Sequence, residues 1–333
     1  MNEHSPQRLV GESAALSDLL DQVSQVAPLN RPILVIGERG TGKELIAERL
    51  HYLSQRWQQP FLKVNCGALS DTLLDADLFG YEPGAFTGAT RLHKGRFERA
   101  HEGTLFLDEV SNMSQAVQEK LLRLIEYGEF ERLGGQSTLQ VDVRIVAATN
   151  EHLPTLAHQG RFRADLLDRL AFDVLTLPPL RARQDDIRIL AQHFGVQMSS
   201  ELGWPMFPGF TDRVMAQLCQ YPFFGNVREL KNAVERSLYR WNQPDSPIDK
   251  IILDPFASPW QPSAPSSDLD DRRSFSDQVA RLEVSLLQRA LDQNDRHQGR
   301  AAQSLQLSYH QFRNLLRKHN LTPKPQPSKR PMP

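Results

Sequence analysis

The chain has 333 residues, with 39 Lys and Arg against 40 Asp and Glu, for a formal net charge of −1. That length can bury a full core and hold a second small domain, while the balanced charge excludes a global basic field that would by itself demand nucleic acid. Two cysteines, Cys66 and Cys219, exclude a disulfide framework, and no Cys/His cluster has zinc spacing.

Met1 to Ser13 lacks the charged start and apolar stretch of a secretory signal, and no apolar run approaches the roughly 20 residues of a membrane span. A reducing cytoplasm is the expected compartment, with no direct membrane insertion. About 30 residues precede the first apolar strand, too few to fold alone, so control is expected to come from outside the chain. That strand, Ile33-Leu34-Val35-Ile36, leads into Gly37-Glu38-Arg39-Gly40-Thr41-Gly42-Lys43-Glu44 and a helical stretch from Glu44 to Leu53. Strand, glycine loop and helix in this order make a phosphate cradle: loop N–H groups and the helix N-terminus surround the β and γ phosphates, and Lys43 adds a point charge. ATP is the expected ligand. Glu44 stands where the generic pattern has a hydroxyl on Mg²⁺, so the metal must be held partly by another group or through water. Trp57, in Ser54-Gln55-Arg56-Trp57-Gln58, reads as a core, edge or exposed residue.

A second apolar run, Phe61 to Val64, ends at Asn65, a plain strand cap on local grounds. Gly84-Ala85-Phe86-Thr87-Gly88-Ala89 follows, its two glycines free to take φ > 0 and so able to present Phe86 and Thr87 at a loop tip. Thr104-Leu105-Phe106-Leu107-Asp108-Glu109 is a short strand ending in two carboxylates whose side chains point to opposite faces. Asp108 would hold Mg²⁺ through its water shell and Glu109 would polarise the water that attacks the γ-phosphate. Val143 to Ala148 closes with Thr149-Asn150, where an amide could sense the γ-phosphate. Arg163 and Arg169 flank Asp165 and Asp168, and on one continuous helix the two would differ by about 240° in direction. They either act in different places or pair with those acids. With Phe172 to Leu177, the apolar runs alternate with helical segments, which indicates a parallel sheet with helices on both faces.

The segment 254–275 is rich in Pro, Ser and Asp and reads as a flexible linker. Beyond it Val279, Leu282, Leu286 and Ala290 recur at helical spacing, widened by Leu287 and Leu291, so this helix has a face to bury, in a dimer or under the next helices. From Asp271 onward twelve basic residues stand against five acids, and DNA contact is expected there. Ala301 and Ala302 permit a close helix crossing, Ser308 can cap a second helix, and Leu305, Phe312, Leu315 and Leu316 would form a miniature core. Tyr309, His310, Gln311, Arg313 and Asn314 would then face the major groove, with Arg317 and Lys318 nearer phosphates. Residues 322–333, rich in Pro, read as a disordered tail.

The chain resembles the bacterial enhancer-binding proteins, AAA+ activators of sigma-54 RNA polymerase, from Leu9-Val10-Gly11-Glu12-Ser13 to the C-terminal helices. The intact hexapeptide Gly84 to Ala89 is the most specific signature and contacts sigma-54 in the family, and Glu after the loop lysine is common there. The resemblance implies an AAA+ P-loop NTPase of α/β class over residues 1–184, with five parallel strands and the phosphate strand central. It further implies a helical lid over 185–253 and an all-α, Fis-like helix-turn-helix domain over 276–321. By the same resemblance Asn65 holds the catalytic glutamate until nucleotide state and partner binding release it, and Thr149-Asn150 is the first sensor. Arg228, in Gly225-Asn226-Val227-Arg228, is the second. Arg163 and Arg169 would reach a neighbouring subunit's phosphate, which implies a hexameric ring beside a DNA-binding dimer. A branch of the family that serves phage-shock operons is restrained by a separate inhibitor, PspA, at a position matched by Trp57. The implied activity is ATP-driven remodelling of the closed sigma-54 holoenzyme complex on DNA activated from an upstream enhancer. A general AAA+ remodeller, or a repressor with a vestigial ATP site, are the rival readings. Two positions depart from the family: Phe223-Phe224 replaces Trp-Pro in the lid, and Gln306 replaces a turn glycine.

Overall fold

The computed structural model describes residues 9–256, 275–294, 297–319 and 321, and the chain divides into two units, residues 1–255 and 256–333. In the first, helices and strands follow one another as α1 (Ala14–Val26), β1 (Ile33–Ile36), α2 (Lys43–Tyr52), β2 (Phe61–Asn65), α3 (Asp71–Phe79), β3 (Gly80–Tyr81), β4 (His93–Lys94) and α4 (Arg96–Arg99). There follow β5 (Thr104–Asp108), α5 (Gln115–Tyr127), β6 (Glu129–Glu131), β7 (Thr138–Gln140), β8 (Arg144–Thr149), α6 (Leu153–His158), α7 (Ala164–Leu170) and β9 (Asp173–Thr176). Three longer helices close the unit: α8 (Asp185–Glu201), α9 (Asp212–Gln220) and α10 (Asn226–Trp241).

Strands β2, β5, β8, β1 and β9 form, in that order, a five-stranded parallel sheet. The phosphate strand β1 therefore sits one place in from the edge, a correction to the central position expected; the middle place belongs to β8, buried along its whole length. An apolar run says that a strand is covered on both faces, and interior strands share that property, so it cannot order them. Alternate residues divide between two cores. Ile33, Val35, Phe106, Val146 and Ala148 pack under α1 and α2, whereas Leu34, Leu105, Leu107, Ile145 and Ala147 pack under α3 to α7.

Element ends follow local chemistry. Helix α5 starts at Ser114, whose hydroxyl accepts from Val117 N at 3.4 Å, and stops at Gly128, in the left-handed region at φ +72°, the conformation that favours glycine after a helix. Other ends depend on distant partners. The N-terminus of α1 is capped by Asp186 of α8, which accepts from Glu12 N, Ser13 N and Ser13 Oγ at 2.7–2.8 Å. Arg144, only 3 % exposed, donates to the terminal carbonyls of α1 (Ala27 O, 2.7 Å) and α2 (Leu50 O, 3.3 Å), and burial without a carboxylate partner brings its guanidinium down to about 10. A cation at two helix C-termini meets the negative ends of both dipoles.

The lid helices α8 to α10 enclose Ile187, Leu190, Val214, Leu218, Leu230 and Val234. Phe223 is fully buried here, edge-on to Tyr221 at 4.9 Å, while Phe224 is exposed. One phenylalanine of the departing pair thus fills the core.

The second unit contains α11 (Phe275–Gln293), α12 (Gln298–Ser304) and α13 (Tyr309–Lys318). Leu287 and Ala290 of α11 pack with Ala301, Ala302, Phe312 and Leu316, while Val279, Leu282 and Leu286 remain exposed. Ser308 and Gln311 form a reciprocal capping box at the start of α13. Most of the linker expected over 254–275, and the whole tail expected over 322–333, lie outside the described residues.

Gln306 lies in the turn between α12 and α13 at φ +55°. A left-handed residue with a Cβ costs on the order of 1 kcal/mol. Gln306→Gly should therefore raise the melting temperature of this unit by a few degrees in calorimetry; a lower value would show that the turn is not strained.

Candidate nucleotide and loop sites

The loop after β1 is shaped by its glycines: Gly40 and Gly42 lie at φ +78° and +103°, and a Cβ on Gly40 would sit 2.3 Å from Gly225 O. Gly37 N donates to Thr149 O of the adjacent strand at 3.2 Å, and Thr41 Oγ1 to Glu38 O at 2.8 Å. Lys43 Nζ donates to Gly37 O at 2.9 Å and Glu38 O at 3.3 Å. Burial lowers its affinity for a proton, opposed by Asp108 and then Glu109 and assisted by the charges of Arg228 and Arg39. A lysine kept half-buried among carbonyls exchanges them readily for phosphate oxygens.

The lid grips this loop directly. Arg181 binds both oxygens of Glu38 at 2.6 and 2.8 Å, and Asn226 Nδ2 adds a third bond at 3.1 Å. These contacts, Arg181 foremost, hold the Glu38 carboxyl down at about 2. Asn226 is fully buried at φ +56°, donates also to Arg39 O at 3.0 Å and accepts from Leu180 N at 2.8 Å. Arg183 donates to Thr41 O at 3.1 Å and Val227 N to Gly40 O at 3.0 Å. Arg228 follows, exposed, beside Gly40. Arg181, Arg183 and Asn226 were not singled out in the sequence, since their partners lie 142 to 188 residues away.

At the end of β5 burial raises the Asp108 carboxyl above the ordinary range, with Lys43 opposing. Asp108 Oδ1 accepts from Glu109 N at 2.9 Å, and Glu109 itself is left-handed at φ +55°. Asn65 pairs with Asp108 in the β2–β5 register, but its side chain accepts from Gly67 N at 2.8 Å, and the hydrogen bond to Glu109 comes from Asn112 Nδ2 at 3.1 Å instead. Arg39 approaches the other Glu109 oxygen at 3.9 Å. Glu44 is turned to Lys63 of β2 at 2.7 Å. Thr149 is buried and accepts from Glu151 N at 3.0 Å, with Asn150 exposed beyond it.

The remaining candidates lie apart from this cluster. Helix α7 begins at Ala164, so Arg163 precedes it rather than sharing one helix with Arg169; Arg163 binds Asp165 at 2.7 and 3.0 Å, and Arg169 binds Glu126 at 2.9 Å. Trp57 is 55 % exposed. The hexapeptide spans the connection between β3 and β4, closed by Gly84 N to Ala89 O at 2.7 Å, with Gly84 and Gly88 at φ +87° and +102°. Phe86 is 41 % exposed and meets only Tyr81 edge-on at 4.9 Å among the described rings. The β6–β7 connection supports the base of this loop through Glu82 N to Leu133 O at 3.0 Å, and Arg132 joins Glu82 to Glu98. In the second unit Tyr309, His310, Gln311, Arg313, Asn314, Arg317 and Lys318 are all exposed; Gln311 is engaged in the cap and Lys318 with Glu283 at 2.8 Å.

Residues 9–176 match the Sigma-54 interaction domain family and residues 181–254 the AAA+ ATPase lid domain family. The chain is 55 % identical over 322 residues to the Psp operon transcriptional activator of Escherichia coli (strain K12), covering 94 % of this chain and 98 % of that one. It is 39 % identical over 319 residues to the regulatory protein AtoC of the same strain, covering 95 % and 68 %. The crystal structure of NtrX from Brucella abortus in complex with ATP superposes with a TM-score of 0.70 at 31 % identity, over 94 % of this chain and 70 % of that one. A P-loop ATPase core joined to its lid, with the hexapeptide loop carried between β3 and β4, places the chain in the family of sigma-54-dependent AAA+ activators.

Proposed function

We propose that this ATPase binds upstream enhancer DNA and uses ATP hydrolysis to remodel the closed sigma-54 polymerase complex into an open one, at an operon of the phage-shock type. The observation that carries this reading is the hexapeptide loop, held by glycines and a second hairpin so that Phe86 stands exposed.

Lys43 and the loop N–H groups bind the phosphates, and Glu109 accepts the proton of the attacking water. Asp108 suits Mg²⁺: its carboxylate is part-buried beside Lys43, while Thr41 and Glu44 are engaged elsewhere. Phosphate oxygens and water would complete that shell, and the ion would neutralise charge on the β and γ phosphates. Asn65, level with Asp108, relays nucleotide state toward the loop, and Thr149, Asn150 and Arg228 sense the γ-phosphate and the lid. Arg163 and Arg169 pair with surface acids that cost little to leave, and in a hexameric ring they complete a neighbour's site. The second unit docks α13 in the major groove as a dimer, and Trp57 offers an inhibitor of the PspA kind an exposed aromatic contact. The cytoplasm is the compartment where such a partner set exists, and no helix among the described residues is long and apolar enough to cross a membrane.

Strand separation at a sigma-54 promoter tests the whole reading. The purified chain should melt the start site with ATP and fail to do so with a non-cleavable analogue. Melting undiminished by the analogue would remove the mechanism, and a repressor would melt nothing in either case.

A further inference from the structure

Among the described hydrogen bonds, the lid meets the phosphate loop at backbone carbonyls except for one carboxylate, that of Glu38. Glu38 Oε1 accepts from Arg181 Nη2 at 2.6 Å, and Oε2 accepts from Arg181 Nη1 at 2.8 Å and from Asn226 Nδ2 at 3.1 Å. Arg181 lies in the 3-10 turn Leu180–Ala182, between β9 and α8, and Asn226 opens α10. These two ends of the lid are themselves joined, because Asn226 Oδ1 accepts from Leu180 N at 2.8 Å. Glu38 therefore fastens the lid's entry and its last helix to the phosphate loop together. Asn226 is fully buried, whereas the Glu38 and Arg181 side chains are each 42 % exposed, so the ion pair is the part of this clamp that water can open. A loop whose N–H groups wrap phosphates must loosen to release them.

We propose that Arg181 is a positioning residue that clamps Glu38, and with it the phosphate loop, to the lid, so that opening of the Arg181–Glu38 pair sets the rate at which ADP leaves. The inference rests on residues 37–43 being the nucleotide site. Arg181 and Asn226 hold the Glu38 carboxyl down at about 2, so it stays ionised and the pair stays formed at neutral pH. The guanidinium fork engages both carboxylate oxygens at once, a geometry that a single hydrogen bond does not supply. Without the pair, Val227 N still donates to Gly40 O at 3.0 Å and Arg183 to Thr41 O at 3.1 Å, so the lid keeps its seat. An exposed ion pair adds little to global stability, but bidentate bonds between charged groups hold a local opening back by about three- to tenfold.

The test is the dissociation rate of a fluorescent N-methylanthraniloyl derivative of ADP from the full chain, chased with excess ATP in a stopped-flow mixer. Arg181→Ala and Glu38→Gln are compared singly and combined. Each single variant should release the probe about three- to tenfold faster than the parent, with a melting temperature within about 2 °C of it. The double variant should be no faster than the faster single one, because both substitutions open the same pair. Faster release that does not add in the double variant supports the clamp. An unchanged rate in either single variant, effects that multiply in the double variant, or a rise accompanied by a larger fall in melting temperature overturns it. Lys43→Ala, run beside them, should lose the probe altogether; if it binds the probe as the parent does, the assignment of the nucleotide site fails instead, and the two failures are told apart.

Discussion

Glu109→Gln should lower the rate of ATP cleavage by about 10²–10⁴-fold while leaving ATP binding intact, as single-turnover phosphate release and equilibrium nucleotide titration would record. The substitution changes one oxygen to an amide and keeps an acceptor for Asn112, which donates to Glu109 at 3.1 Å. It leaves Lys43, Gly40 and Gly42, which shape the phosphate loop, untouched. Binding and chemistry are therefore separable at this position. The strained φ of +55° belongs to the backbone and persists in the variant, so the loss reports the proton acceptor rather than the turn. Turnover within about tenfold of the parent would show that another group takes the proton, since a positioned base contributes at least about a hundredfold.

Much of this site was legible because its chemistry is local. The order of strand, glycine loop, lysine and helix is written in the consecutive residues from Ile33 to Lys43, and the observed β1 and α2 meet at that loop. Strand ends at Asn65, Asp108 and Thr149 fell within one residue of the apolar runs that announced them, because a buried strand must be apolar where it is covered. Ser308 as a helix cap was likewise readable from local chemistry, whereas the left-handed turn at Gln306 was announced only by the family's glycine at that position. What the sequence withheld are the contacts whose partners are remote. Arg181 and Asn226 meet Glu38 across 143 and 188 residues, and Asp186 caps α1 across 173. No periodicity encodes which acid an arginine will find. Asn112 is a different case: it lies three residues from Glu109, yet only the left-handed turn at Glu109 brings the two side chains together, and φ at a glutamate is not announced by its identity. Likewise the start of α7 at Ala164 separates Arg163 from the helix that carries Arg169, and both pair in ways that spacing alone left open.

Phe86→Ser should lower open-complex formation by about thirtyfold or more, while ATP turnover stays within about twofold of the parent. The ring is 41 % exposed and among the described residues meets one other ring, Tyr81, which stacks in turn on His93 at 5.1 Å. No hydrogen bond or ring contact among the described residues joins them to the phosphate loop. Loop shape is set elsewhere: by Gly84 and Gly88 in left-handed conformations, by the Gly84 N to Ala89 O bond and by the Leu133 backbone beneath it. Serine therefore leaves the loop standing without its apolar tip. Truncating an aromatic at the centre of a contact costs at least about 2 kcal/mol, the origin of the thirtyfold figure. Permanganate footprinting of the start site, run beside a phosphate-release assay on the same preparation, separates the two activities. Thr87→Ala, beside it in the loop, should follow the same pattern. If either variant melts the promoter as well as the parent does, the loop is not the element that transmits the energy of hydrolysis. If either loses ATP turnover in parallel, the loop shapes the nucleotide site rather than transmitting its energy.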